Sequence, residues 1–226
     1  MHYLFRRKAQ EKEGVAIWQR QSPLIFDQTL YDFDNQIREA FFEMALESGD
    51  KSLLRGAYST NMEWRNLTDV LGVEIGMKAI ERVHDRTLKQ VPFANAVNVC
   101  QKLALKHKIK YVTSRYDKYY EDTYAWLGFW GFPEGEIICS THDKAPHLKD
   151  CRYLIDDRPK TIIEFVTNFE WILEDKFGEG PAEETRQRKA FGLWTPYNRN
   201  LTDIKNVYLA PNWTGIKFYL ERKGLI

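Results

Sequence analysis

The sequence predicts an α/β fold in which a parallel sheet is covered by helices on both faces, with a small helical insertion. Three observations carry this. After Pro92, short apolar segments alternate with stretches of helical periodicity in the order helix, strand, helix, strand, strand, helix, which is the pattern of a parallel sheet flanked by helices. Forty-three per cent of the 226 residues are apolar, far more than a disordered chain carries. Polar groups follow directly on the segments read as strands, and ligands gather at such carboxyl ends.

Residues 1–22 are polar and charged apart from Val15-Ala16-Ile17-Trp18 and read as an unassigned extension. Residues 24–31 are apolar in two clusters and close on Asp32-Phe33-Asp34-Asn35, so they read as a strand ending in a turn. Over 36–48, Ile37, Ala40, Phe41, Met44 and Ala45 recur at helical spacing, and Gly49 is a stop signal. Residues 50–90 look helical but irregular, with Trp64, Leu67, Val70 and Leu71 on one face and a second amphipathic stretch over 75–88. Beyond Pro92 we expect a helix over 94–107, strands at 109–113, 136–139 and 152–155, and helices near 117–130 and 160–176. Residues 178–189 are Gly/Pro-marked and polar and read as a loop; 190–194 reads as a strand and 213–222 as a closing helix. This divides the chain into the extension 1–22, a core of 23–37 with 91–226, and an inserted helical cap of 38–90.

Lys plus Arg number 33 and Asp plus Glu 32, so no global field attracts long nucleic acid or acidic membrane. The three cysteines form no C-x-x-C pair and no cluster of zinc spacing, and read as free thiols. The start lacks the apolar stretch of a signal peptide, and apolar runs are far too short to span a membrane. The expectation is a soluble, cytoplasmic protein.

Four polar groups stand at strand ends: Asp32 with Asp34; Thr113-Ser114-Arg115; Lys144 in the loop beyond Cys139; and Asp156-Asp157. These types suit phosphoryl transfer. An aspartate can attack phosphorus, and a carboxyl two residues on can protonate the leaving alcohol and then activate water. The mutual repulsion of carboxylate and phosphate calls for Mg²⁺, for which Asp156 is a suitable oxygen ligand. Lys144 would add fixed positive charge and Thr113 a hydroxyl.

These segments, in this order, resemble the four motifs of the haloacid dehalogenase (HAD) superfamily, a Rossmann-like core with a cap inserted after motif one. Asp32-Phe33-Asp34-Asn35-Gln36-Ile37 resembles motif one, Tyr111-Val112-Thr113-Ser114-Arg115 motif two, Lys144 motif three and Ile155-Asp156-Asp157 motif four. Within it the chain is similar to the 5'(3')-deoxyribonucleotidase group, through Val91-Pro92-Phe93-Ala94-Asn95-Ala96, Thr141-His142-Asp143-Lys144, Pro196-Tyr197-Asn198 and Asn212-Trp213-Thr214-Gly215-Ile216. The resemblance implies a Mg²⁺-dependent phosphomonoesterase acting on nucleoside monophosphates through an aspartyl-phosphate. Asp32 would be the nucleophile and Asp34 the acid and base, with Asp32, Asp34 and Asp156 holding the metal. Thr113, Ser114 and Lys144 would bind phosphate, with Asp157 behind them. The expected partner is a small phosphomonoester, and a homodimer is a further expectation for this chain.

Motif one departs from the pattern, since Gln36 stands where Thr or Val is usual. Two other registers stay open. Phe26-Asp27-Gln28-Thr29-Leu30-Tyr31-Asp32 resembles the "FDxDGTLYD" text with residues lost, making Asp27 the nucleophile. An ungapped reading puts Ile25 at that position and implies a HAD-fold nucleotide-binding or regulatory protein without turnover. Asp32 and Asp34 could also simply cap the helix that follows. A nucleic-acid 3'-phosphate or a small metabolite is the alternative substrate. Phe41, Tyr58 and Trp64 are candidates for stacking on a base.

Overall fold

The strand expected over 24–31 lies earlier in the chain. In the computed structural model, which describes residues 29–58, 71–140, 144–167 and 188–226 and the backbone of 20–25, the first strand is β1, Arg20–Ile25. Its polar start gives no apolar signal because backbone pairing defines it: Arg20 to Ile25 run beside His107 to Val112 in parallel register. Leu30 and Tyr31 are apolar for a different reason. Tyr31 forms an isolated antiparallel bridge with Pro92, and the Leu30 carbonyl accepts from the Phe93 amide at 2.8 Å. Both side chains are fully buried. The apolar run therefore holds a strand end and the first half of a two-chain linker.

Helix α1, Phe33–Ser48, starts earlier than the periodicity of 36–48 suggests because Asp32 caps it, and it ends at Gly49. Gly49 has φ 71°, a conformation glycine adopts at little cost, and its amide closes on the Ala45 carbonyl. The short α2, Leu54–Tyr58, and α3, Val73–His84, pack against α1. Arg82 and Arg86 of that layer reach across to Glu47 and Glu43 through paired N–H···O bonds of 2.6–2.8 Å. Phe41 is fully buried in the core, so its aromatic ring fills space instead of offering a stacking surface.

Beyond the linker come α4, Ala96–Ala104, β2, His107–Thr113, α5, Tyr120–Trp130, and β3, Gly135–Cys139. They are followed by β4, Tyr153–Ile155, α6, Pro159–Thr167, β5, Lys189–Leu193, β6, Val207–Ala210, and α7, Trp213–Arg222. Strand β6 is a four-residue edge strand paired only with β5, too short to stand out as a periodic segment. The polar loop expected at 178–189 and the end of the helix expected at 160–176 fall mostly outside the described residues.

The strands form one sheet in the order β3-β2-β1-β4-β5-β6, with every pair parallel. Alternation along the strands sends side chains to two cores. Tyr111, Tyr153, Ile155, Phe191 and Leu193 join the core of α1, α4 and α7, including Val99, Trp213 and Ile216. Val112, Leu154, Ala190 and Leu209 face Ile162 and Phe165 of α6. Both faces of the sheet are thus sealed, which leaves its edges and strand ends for polar chemistry. Among the described residues no helix is long and apolar enough to cross a membrane.

Candidate active site

The carboxyl ends of β1, β2 and β4 adjoin one another at the centre of the sheet. Ile25 is level with Val112 and Leu24 with Ile155, so the end of β1 faces the step from Ile155 to Asp156. Thr113 ends β2 one residue further on. The Asp156 amide donates to the Phe191 carbonyl of β5 at 3.0 Å, which continues the ladder to the point where the carboxylate begins.

Asp156 is completely buried. Its Oδ1 accepts from the amides of Asp157 at 2.8 Å and Arg158 at 3.2 Å. Its Oδ2 is buried as well and has no donor among the described residues. A buried carboxylate oxygen without a partner costs free energy, and a bound cation is the partner that would recover it. The donor chemistry fits Mg²⁺, a hard ion that takes carboxylate oxygens. Among the described residues no group of three or more His, Cys, Asp or Glu side chains forms a metal cluster. Burial drives the thiols of Cys100 and Cys151 far above the ordinary range, which keeps them protonated and out of metal or nucleophile chemistry.

Asp157 is engaged by its neighbours. Its Oδ1 accepts from the Thr29 hydroxyl at 3.3 Å, its Oδ2 from the Tyr197 hydroxyl at 3.0 Å, and its carbonyl from Asn198 Nδ2 at 2.8 Å. Trp213, fully buried, donates from Nε1 to the Thr29 carbonyl at 2.8 Å. The chain leaving β1 is therefore fastened at Thr29 to the loop after β4 and to the start of α7. Asn212 caps α7 by accepting from the Gly215 amide at 3.1 Å, which accounts for the Asn-Trp-Thr-Gly tail as a device that presents Trp213.

Close packing holds the same corner from β5. A Cβ on Gly192 would lie 2.3 Å from the Asp156 carbonyl oxygen, so no side chain fits there. Gly192→Ala is expected to cost about 2 kcal/mol or more through forced displacement of the Asp156 backbone. A denaturant midpoint unchanged from wild type would show that the strands can spread without cost.

Thr113 is buried at the end of β2 and its hydroxyl accepts from the Arg115 amide at 3.3 Å; Ser114 beside it is half-buried. Lys144 is buried and starts the turn Ala145–Leu148 between β3 and β4. Arg115, with no exposed surface, sits behind the site. Its guanidinium donates to Thr87 Oγ1 at 2.6 Å, Thr123 Oγ1 at 3.4 Å, Tyr31 Oη at 2.8 Å and Gln90 Oε1 at 2.9 Å. It ties the outgoing linker residue Tyr31 to the returning segment Thr87–Gln90, a role that its place in the motif-two segment does not suggest.

Asp32 and Asp34 stand at the start of α1. Asp32 is the N-cap of α1, accepting from the Asn35 amide at 3.1 Å and from Asn35 Nδ2. Asp34 lies in the first turn, 3.8 Å from Arg38, where the helix dipole also favours its charge. Asp27 lies outside the described residues. The structure thus joins Thr113, Asp156 and Asp157 at one edge and gives Asp32 and Asp34 to the start of α1. Thr29, Tyr197 and Asn198 lie in segments that carry the family resemblance without a site role expected of them, and Gly192 carries no sequence signal.

No family model matches the chain, and no curated protein matches it. Solved structures do. A HAD family hydrolase from Deinococcus radiodurans with bound phosphate and sodium is 10% identical, with a TM-score of 0.56 over 94% of this chain and 99% of that one. A haloacid dehalogenase-like hydrolase from Streptococcus pneumoniae is 15% identical, with a TM-score of 0.54 over 89% and 98%. CbbY from Rhodobacter sphaeroides in complex with phosphate is 11% identical, with a TM-score of 0.54 over 86% and 95%. Identities this low define architecture alone: the chain has the haloacid dehalogenase-like fold.

Proposed function

We propose that this protein is a Mg²⁺-dependent phosphomonoesterase for nucleoside monophosphates, with its reacting carboxylate supplied just beyond β1 and the helices of 38–90 acting as its cap. The observation that carries the reading is the buried Oδ2 of Asp156 without a donor among the described residues, at the strand end that β1 adjoins. The chain between Ile25 and Thr29 contains one carboxylate, Asp27. We therefore assign the nucleophile to Asp27, since Asp32 is engaged in capping α1. Asp27 and Asp156 would hold the ion, which neutralises charge on carboxylate and phosphate when bound. Thr113, Ser114 and Lys144 would orient the phosphoryl oxygens. The Asp27 carboxylate attacks phosphorus and the P–O bond to the nucleoside breaks. The departing alkoxide takes a proton from water, and a second water hydrolyses the aspartyl-phosphate to inorganic phosphate. Asp157, held by Thr29 and Tyr197, keeps Asp156 in place.

Phosphate release from nucleoside monophosphates, a 3'-phosphorylated oligonucleotide and small sugar phosphates, with and without Mg²⁺, tests this. Asp27→Asn is expected to lower turnover by more than about 1,000-fold. Asn caps a helix about as well as Asp, so Asp32→Asn should leave both turnover and stability close to wild type. The reverse pattern would return the nucleophile to Asp32 and sink the strand-end assignment.

A second reading rests on the register itself. Ile25 is the residue of β1 that faces the Ile155–Asp156 step, and Thr29, four residues on, is the one that touches Asp157. An apolar residue at that level suits a protein that binds nucleotide without turnover. Nucleotide binding in the absence of phosphate release, in wild type, would favour it.

A further inference from the structure

Trp194 is an aromatic side chain left outward at the end of β5. It follows Leu193, the last residue of β5, and keeps 47% of its surface exposed. Its amide still pairs with the Ala210 carbonyl at 2.7 Å, so strand geometry extends to it. Gly192, two residues earlier, packs on the Asp156 carbonyl. A strand rises about 3.3 Å per residue, which sets Trp194 about two rises beyond Asp156 in the direction in which β5 leaves the sheet. A pentose between a phosphate and a base spans a distance of that order.

The loop carrying this ring is built into the site. Asn198 Nδ2 donates to the Asp157 and Leu193 carbonyls, each at 2.8 Å, and its Oδ1 accepts from the Thr195 amide at 2.8 Å. Tyr197 reaches the Asp157 carboxylate. Arg199 donates from Nε to the Pro196 carbonyl at 3.2 Å and lays its guanidinium over the Trp194 ring, 5.4 Å from the centroid. An exposed indole on a braced loop is a preorganised apolar surface, which lowers the ordering cost of binding a planar group.

We infer that Trp194, backed by Arg199, is the platform on which the base of a nucleoside monophosphate stacks while its phosphate lies at Asp156. This rests on the phosphomonoester reading of the site and adds what recognises the organic half of the substrate. Stacking on an aromatic ring tolerates any base, so the platform selects nucleotides over sugar phosphates more than one base over another.

The test compares a deoxynucleoside 5'-monophosphate with 2-deoxyribose 5-phosphate, which lacks the base, in wild type, Trp194→Ala and Trp194→Phe. The readout is the ratio of kcat/KM for the two compounds. Wild type should prefer the nucleotide. The ratio should fall by about ten-fold or more in Trp194→Ala, chiefly through KM, and recover in Trp194→Phe. An unchanged ratio, or equal losses on both compounds, overturns the proposal. A wild type that hydrolyses the sugar phosphate at least as well as the nucleotide overturns it while leaving the phosphatase reading intact. Should wild type bind without turnover, the ratio of dissociation constants from calorimetry replaces kcat/KM and is judged the same way. Absence of both binding and turnover for either compound overturns platform and phosphomonoester reading together.

Discussion

Asp156→Asn is expected to reduce phosphate release by more than about 100-fold and, in the absence of Mg²⁺, to leave the fold as stable as wild type or more so. The two effects have one origin. The wild-type residue is fully buried with Oδ2 lacking a donor among the described residues, which is costly for an ionised group and acceptable only if a cation is bound. The asparagine keeps an acceptor for the Asp157 and Arg158 amides that Oδ1 now serves and removes the charge. Thermal denaturation with and without Mg²⁺ makes the comparison. Wild type should gain stability with Mg²⁺ as binding linkage requires, and the variant should lose that gain. Equal Mg²⁺-dependent shifts in both proteins would remove Asp156 from the metal site.

Arg115→Ala is expected to destabilise the fold by about 3 kcal/mol or more. Tyr31, Thr87, Gln90 and Thr123 each accept from this one buried guanidinium, and its loss leaves a cavity among polar atoms that have no route to water. For a chain of this size the melting temperature should fall by roughly 6 °C or more. The position of the loss is also specific. Tyr31 and Gln90 lie on the two segments that connect α1–α3 to the sheet, and Trp126 donates to the Gln90 carbonyl at 2.7 Å. Amide exchange should therefore quicken at Phe93, whose amide donates to the Leu30 carbonyl beside the Tyr31–Pro92 bridge, more than in β5. A destabilisation below about 1 kcal/mol, the ordinary effect of a substitution without such a network, would mean that the linkers hold without Arg115.

Much of the sheet was legible because its signals are local. Strands 109–113, 136–139 and 152–155 and the helix at 213–222 appear within a residue or two of their expected places, since short apolar runs bounded by breakers are local signals. The polar residues at the ends of β2 and β4 were legible for the same reason. Strand β1 was not. Its first four residues are Arg-Gln-Ser-Pro, and only pairing with β2 and β4 makes it a strand. Leu30 and Tyr31 misled in the opposite sense, being buried by the returning chain at Pro92 and Phe93. The hydrogen bonds centred on Asp157 join Thr29, Tyr197 and Asn198 across separations of 128, 40 and 41 residues, distances over which a single sequence carries no pattern.

The sequence by itself determined the α/β class, the parallel sheet, and the strand ends at Thr113 and Asp156, because each follows from hydrophobic periodicity over a few residues. Tertiary structure alone decided that Arg20–Ile25 pair as β1, that Asp32 caps a helix, and that Trp194 is left exposed beyond β5. Those outcomes depend on which backbones pair and which surfaces are covered, and both are set by parts of the chain far apart in sequence.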